Sequence, residues 1–105
     1  AILIVSIGDR ESKTETGELH TMPGVKNLVR YQQALAAKTH VAFWNMFEAM
    51  GGEGSMVEMV SSKPAMANYD YTHINFRGGK HLANILFDAL MYGKEQYEKR
   101  KAYEN

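Results

Sequence analysis

The chain has no cysteine. That absence excludes disulfide staples, cysteine-ligated zinc and a thiol nucleophile, although it leaves the cellular compartment open. Charge of one sign is lacking too. Twelve basic side chains balance twelve acidic ones over 105 residues, so no overall field draws the chain to nucleic acid or an anionic membrane surface. No apolar run approaches the ~20 residues that a membrane span needs. Prolines number only two, and no repeat or low-complexity stretch occurs. What remains is ordinary globular material, 45% hydrophobic and 23% charged, enough for a single core.

Residues 2–7 form a nearly continuous β-branched apolar run, the pattern of a strand buried on both faces of a parallel sheet. Gly8-Asp9-Arg10 turns the chain, and 11–20 reads as a polar loop without periodicity. Pro23 suits the first turn of a helix over 23–38, with Val25, Leu28, Val29, Gln32, Leu35 and Ala36 on one face. A second buried strand begins at Val41 and runs through Phe43 and Trp44 towards Phe47 before passing into a loop. After the glycine cluster at 51, 52 and 54, Ser55 is expected to cap a short helix that Pro64 ends. Asn75 is expected to cap the last helix, with Leu82, Ile85, Leu86, Ala89 and Leu90 as its apolar stripe. Beyond Gly93 the stripe is lost, but pairs such as Glu95 and Lys99 support a solvated helical extension over 94–105. Strands alternating with helices define an α/β class with strands 2–7 and 41–45 as parallel neighbours, linked by a right-handed crossover. Both strands read as doubly buried, yet the chain supplies helices enough to cover little more than one.

The chemistry concentrates at Asn68-Tyr69-Asp70-Tyr71-Thr72-His73-Ile74-Asn75. An Asp three residues before a His in a loop can reach one ring nitrogen. It leaves the other nitrogen free as a base, the orienting role of the acid in a Ser-His-Asp triad. The plainer reading is that Asp70 caps a turn and His73 packs. On the D-x-x-H spacing alone that plainer reading is the better one.

The flanking residues alter the balance. The run from Asp70 through Asn75 to Gly78-Gly79, followed by the Leu82/Ile85/Leu86 helix, resembles the last conserved block of the SGNH (GDSL-type) hydrolases. Upstream, Phe43-Trp44-Asn45-Met46-Phe47-Glu48-Ala49-Met50-Gly51-Gly52-Glu53-Gly54-Ser55-Met56 is similar to bacterial members of that family related to peptidoglycan and polysaccharide O-acetylesterases. Asn45 stands where that pattern has Asp. The resemblance runs from the Ile2 strand to Leu90 and implies that Asp70 and His73 are the acid and base of a catalytic triad. It also implies the C-terminal part of a three-layer α/β/α, flavodoxin-like domain, with two strands and about three helices present in residues 1–105.

The family takes its nucleophile from a G-D-S block and oxyanion donors from a later Gly and the Asn of a G-x-N-D block. Here Gly8-Asp9-Arg10 has Arg in the serine's place, and no G-x-N-D occurs. The resemblance therefore implies that nucleophile and oxyanion hole lie upstream of Ala1 or do not exist, and that a larger N-terminal region has been removed. Ser6 is expected to be buried in its strand. Asp9 and Arg10 follow the carboxyl end of a strand, where α/β sheets bind ligands, although a surface salt bridge is their commoner role. Gly51 and Gly52 are candidates for bringing backbone amides near a substrate, on weak grounds. His20, His40 and His81 lack metal-site spacing, and Trp44 with its aromatic and methionine neighbours reads as core.

The resulting expectation is serine-type hydrolysis of a carboxylic ester, an acetyl group on a carbohydrate, with His73 as base then acid, Asp70 orienting it, and no cofactor. The chain alone should be inactive. It should self-associate or associate with the absent N-terminal part. The resemblance points to a periplasmic or extracellular location. The rival is a non-catalytic α/β partial domain acting as a binding or oligomerisation module.

Overall fold

The computed structural model describes residues 1–104. Its centre is a two-stranded parallel sheet, β1 (Leu3–Val5) beside β4 (Ala42–Trp44), in the register Leu3 to Ala42, Ile4 to Phe43 and Val5 to Trp44. Helix α1 (Val25–Thr39) connects them, so the expected parallel α/β pairing is present. The ladder continues one residue further, where the N–H of Ser6 donates to the carbonyl of Trp44 at 2.9 Å.

Successive strand residues face opposite ways, and the two faces have different covers. On one side Phe43 and Ile7 pack with Val25 and Val29 of α1 and with Phe47. Gln32 adds a polar tie there, its Oε1 accepting the Ile7 N–H at 3.0 Å. On the other side Trp44 packs against the larger cluster of Met56, Met59, Val60, Ala67 and Leu82. Coverage is incomplete. Leu3 and Val5 stay exposed, as do Leu28 and Leu35 of the expected α1 face. The buried part of α1 is narrower than its apolar stripe: Val25, Val29 and Ala36.

Several local expectations need correction. Residues 11–20 are not a featureless loop: β2 (Glu11–Lys13) pairs antiparallel with β3 (Leu19–Thr21). The hairpin turns through Gly17, whose φ of 84° suits glycine. The second strand stops at Trp44, and α2 (Met46–Met50) replaces its expected end. Asn45 explains the switch, because its side chain accepts the Glu48 N–H at 2.9 Å and so caps a helix. Ser55 is not a cap either. Gly54 holds that position, and Ser55 is the buried first residue of α3 (Ser55–Ser61). Pro23 precedes the Gly24 cap of α1 rather than starting the helix.

Helix α4 (Phe76–Glu104) follows the sequence closely at its start. Oδ1 of Asn75 accepts the Gly78 N–H at 2.9 Å, while its Nδ2 donates to the Ala65 carbonyl at 2.8 Å. Leu82 is buried and Ile85 packs on the same cluster, but from Phe87 onward every described residue is exposed. Ala89 and Leu90 of the expected stripe therefore face solvent. The extension carries the expected pair, Lys99 to Glu95 at 3.1 Å. Asn105 lies outside the described residues.

Candidate active site

The segment between α3 and α4 is folded tightly by its own backbone. Asn68 N–H donates to the His73 carbonyl at 2.9 Å and Tyr71 N–H to the Asn68 carbonyl at 3.0 Å. Below this turn, Ala67 and Ile74 form an antiparallel bridge, and Asn75 N–H reaches the Met66 carbonyl at 3.0 Å. Tyr71 adopts the left-handed conformation, φ 54°. That turn presents Asp70 and His73 on one side. Glu11 N–H donates to the Tyr71 carbonyl at 2.9 Å and ties the loop to the β2–β3 hairpin.

Within the turn Asp70 does two jobs. Its Oδ1 accepts the N–H groups of Thr72 and His73, each at 3.0 Å, and its Oδ2 stands 2.6 Å from Nδ1 of His73. The hydrogen bond to the ring, then those from the two backbone amides, hold the Asp70 carboxyl down at about 2, below the ordinary carboxylate range. It is an anion wherever the imidazole can be neutral. The His73 side chain is 71% exposed and that of Asp70 47%, so His73 is not packed into the core. The turn-capping reading of Asp70 is true of one oxygen, and the ring-orienting geometry belongs to the other.

A cleft of about 320 Å³ lies beside this pair. It opens past the carboxyl ends of the parallel strands, between Ile7–Arg10 after β1, Met46 and Met50 of α2, Met56 of α3, and Thr72–Ile74. This is the edge at which open α/β sheets bind ligands. A Cβ at Gly8 would stand 2.7 Å from Met46 Cε and from Met50 Sδ, so glycine there lets the methionine wall close in.

Asp9 and Arg10 line this cleft with His73, whereas Gly51 and Gly52 do not. Asp9 does not form the expected surface salt bridge. It is 2% exposed, accepting the Thr21 hydroxyl at 2.8 Å through Oδ1 and the Met56 N–H at 3.0 Å through Oδ2. Thr21 Oγ1 in turn accepts the Gly54 N–H at 3.0 Å. One buried carboxylate thus clamps the hairpin and the start of α3 to the end of β1. Gly51 ends α2, with φ 120°, and Gly52 shares the turn, with φ 84°.

Ser6 is buried as expected, and its hydroxyl accepts the Phe47 N–H at 3.3 Å. His20 is exposed beside Glu18, His40 ends α1, and His81 is exposed on α4. Among the described residues no group of three or more histidines and carboxylates is placed to hold a metal ion. Among the described residues no helix is long and apolar enough to cross a membrane.

Sequence reasoning missed Thr21, which carries no local signal, and Glu11. The Glu11 residue is 5% exposed and neither carboxylate oxygen has a partner. Burial first, then the nearby Asp9 and Glu53 carboxylates, raises its carboxyl to about 7.

These elements define an α/β unit whose Asp–His pair stands at the carboxyl edge of a parallel sheet. No protein family matches the chain by sequence, and no curated protein does. Among solved structures, a peptidoglycan O-acetylesterase has the same fold, with a TM-score of 0.74 over 88% of this chain at 23% identity. The chain spans about a quarter of that enzyme, 26% of its length.

Proposed function

We propose that this chain is the Asp–His portion of an SGNH-type carboxylic ester hydrolase acting on O-acetylated carbohydrate. The observation that carries the reading is the 2.6 Å contact between Asp70 Oδ2 and Nδ1 of His73, a residue that lines the cleft. The fold shared with a peptidoglycan O-acetylesterase supports it.

In this mechanism Asp70 holds the proton on Nδ1, which leaves the Nε2 lone pair as the base. Nε2 takes the proton of a serine hydroxyl as it attacks the ester carbonyl, then returns it to the departing sugar alkoxide. The anionic Asp70 stabilises the imidazolium between these steps. The reading requires a serine and oxyanion donors from outside these 105 residues, since neither family block for them occurs here.

The test uses the complete polypeptide in which this segment occurs, assayed on an aryl acetate and on O-acetylated peptidoglycan. His73→Ala should lower turnover by about 10³–10⁶-fold, Asp70→Asn by somewhat less, and His81→Ala hardly at all. Equal losses at His73 and His81 would overturn the assignment. The 105-residue chain alone should hydrolyse neither ester.

One observation favours the second reading, a non-catalytic module that associates through its sheet. Leu3 and Val5 of β1 and the preceding Ile2 are exposed, and among the described residues the outer edge of β1 has no partner strand. Light scattering of the chain by itself separates the cases: a stable dimer without activity in any longer form supports the module.

A further inference from the structure

The cleft carries one cationic side chain, Arg10, on otherwise mostly apolar walls. Its backbone is fixed, since the Arg10 carbonyl accepts the Met22 N–H at 2.7 Å and binds the end of the hairpin. Its charge is not used in the fold. Among the described residues Arg10 forms no salt bridge, and the adjacent Asp9 has both oxygens occupied by Thr21 and Met56. Glu11, the next residue, is buried with its carboxyl raised towards neutrality. Arg10 is half-buried, and its unpaired guanidinium is available to an anion that enters a cleft also walled by Ile7, Met46, Met50 and Met56.

We infer that Arg10 binds a carboxylate borne by the same molecule as the ester, so that the site selects acylated sugar acids over neutral sugar esters. This rests on the hydrolase reading above. The planar fork of a guanidinium matches the two oxygens of a carboxylate, and apolar surroundings strengthen that pair relative to water. A single arginine matches a monoanion; a phosphate dianion would call for further donors. A volume of about 320 Å³ is at the small end of ligand pockets, which suits one acylated sugar ring. Arg10 and His73 line the same cleft, so one ligand can meet both.

The experiment uses the chain itself, followed by NMR of backbone amides and the His73 ring. The probes are methyl β-glucuronide and methyl β-glucoside, which differ only in the carboxylate. The glucuronide should shift Arg10, Thr72 and His73 saturably and bind about tenfold more tightly than the glucoside, with the advantage shrinking as salt is raised. Arg10→Gln should remove that advantage and leave the glucoside unaffected, while Arg10→Lys should keep part of it. Equal binding of the two sugars by the unaltered chain, with His73 shifting in both titrations, would overturn the role of Arg10 and leave the cleft as the binding site. If neither sugar shifts the His73 or Thr72 signals, the inference fails and the hydrolase reading is weakened with it. An advantage that survives Arg10→Gln would also overturn the inference, assigning the carboxylate to another group.

Discussion

The carbonyl of Tyr71 and the N–H of Glu11 meet at 2.9 Å. Through that bond the turn bearing Asp70 and His73 leans on a hairpin over fifty positions earlier in the chain. The hairpin is itself anchored by Thr21 to Asp9. The placement of the His73 ring thus depends on residues that never touch it.

Glu11 makes this support sensitive to pH. A carboxyl raised from 4.5 to about 7 in the folded state binds its proton more tightly folded than unfolded. Its contribution to stability is therefore full below about 4.5 and is lost as pH rises through about 7. Chemical denaturation across pH 5–8 should show stability falling by on the order of 1–3 kcal/mol, and Glu11→Gln should flatten that slope. An unchanged slope in the variant would remove Glu11 as the cause.

Thr21 is predicted to matter beyond its size. Thr21→Val keeps the volume but removes the hydroxyl that donates to Asp9 and accepts from Gly54. A buried carboxylate oxygen losing its donor costs about 1–3 kcal/mol, measurable as a lower urea midpoint. Thr21→Ser should recover most of it.

Gly78 tests the seat of the last helix. A Cβ there would collide with the Met66 carbonyl oxygen, the acceptor of the Asn75 N–H. Gly78→Ala should cost about 2–4 kcal/mol and disturb the His73 amide signal. Gly93, with nothing near its missing Cβ, should gain about 0.5–1 kcal/mol when replaced by Ala.

Asp70 should titrate near 2 rather than in the usual carboxylate range. Its stabilising share persists above that range and is lost as pH falls through about 2. At a pH where the His73 imidazole is neutral, nitrogen NMR should find its proton on Nδ1. In Asp70→Ala the proton should spread to Nε2. An Nε2–H tautomer in the unaltered chain would contradict the orienting role.

The parts legible in the sequence are those whose cause is local. Asn75 with the apolar spacing after it gives the start of α4, and Asp70 reaches His73 within one turn of chain. The Asn45-x-x-Glu48 spacing also announces a helix cap, but the preceding β-branched and aromatic run outweighs it when read alone. The hairpin is different. Residues 11–20 carry no alternation of apolar and polar positions, and β2 is held by Tyr71, Asp9 and Thr21 rather than by propensity. The burial of Asp9 likewise follows from Met56, which stands 47 positions away. No window of sequence contains both ends of such a bond.

The free half of α4 also determines how the chain behaves in a flow or a gel bed. Twenty-nine helical residues extend about 43 Å, and the radius of gyration is 16.4 Å where a globule of this length has about 13 Å. A monomer of this outline drags more solvent than its mass warrants. On a sizing column calibrated with globular standards it will elute early, at the position of a heavier protein. Sedimentation will err the other way, with a low coefficient for 11.8 kDa. Any claim of association for this chain must therefore rest on a measured mass rather than on a retention volume.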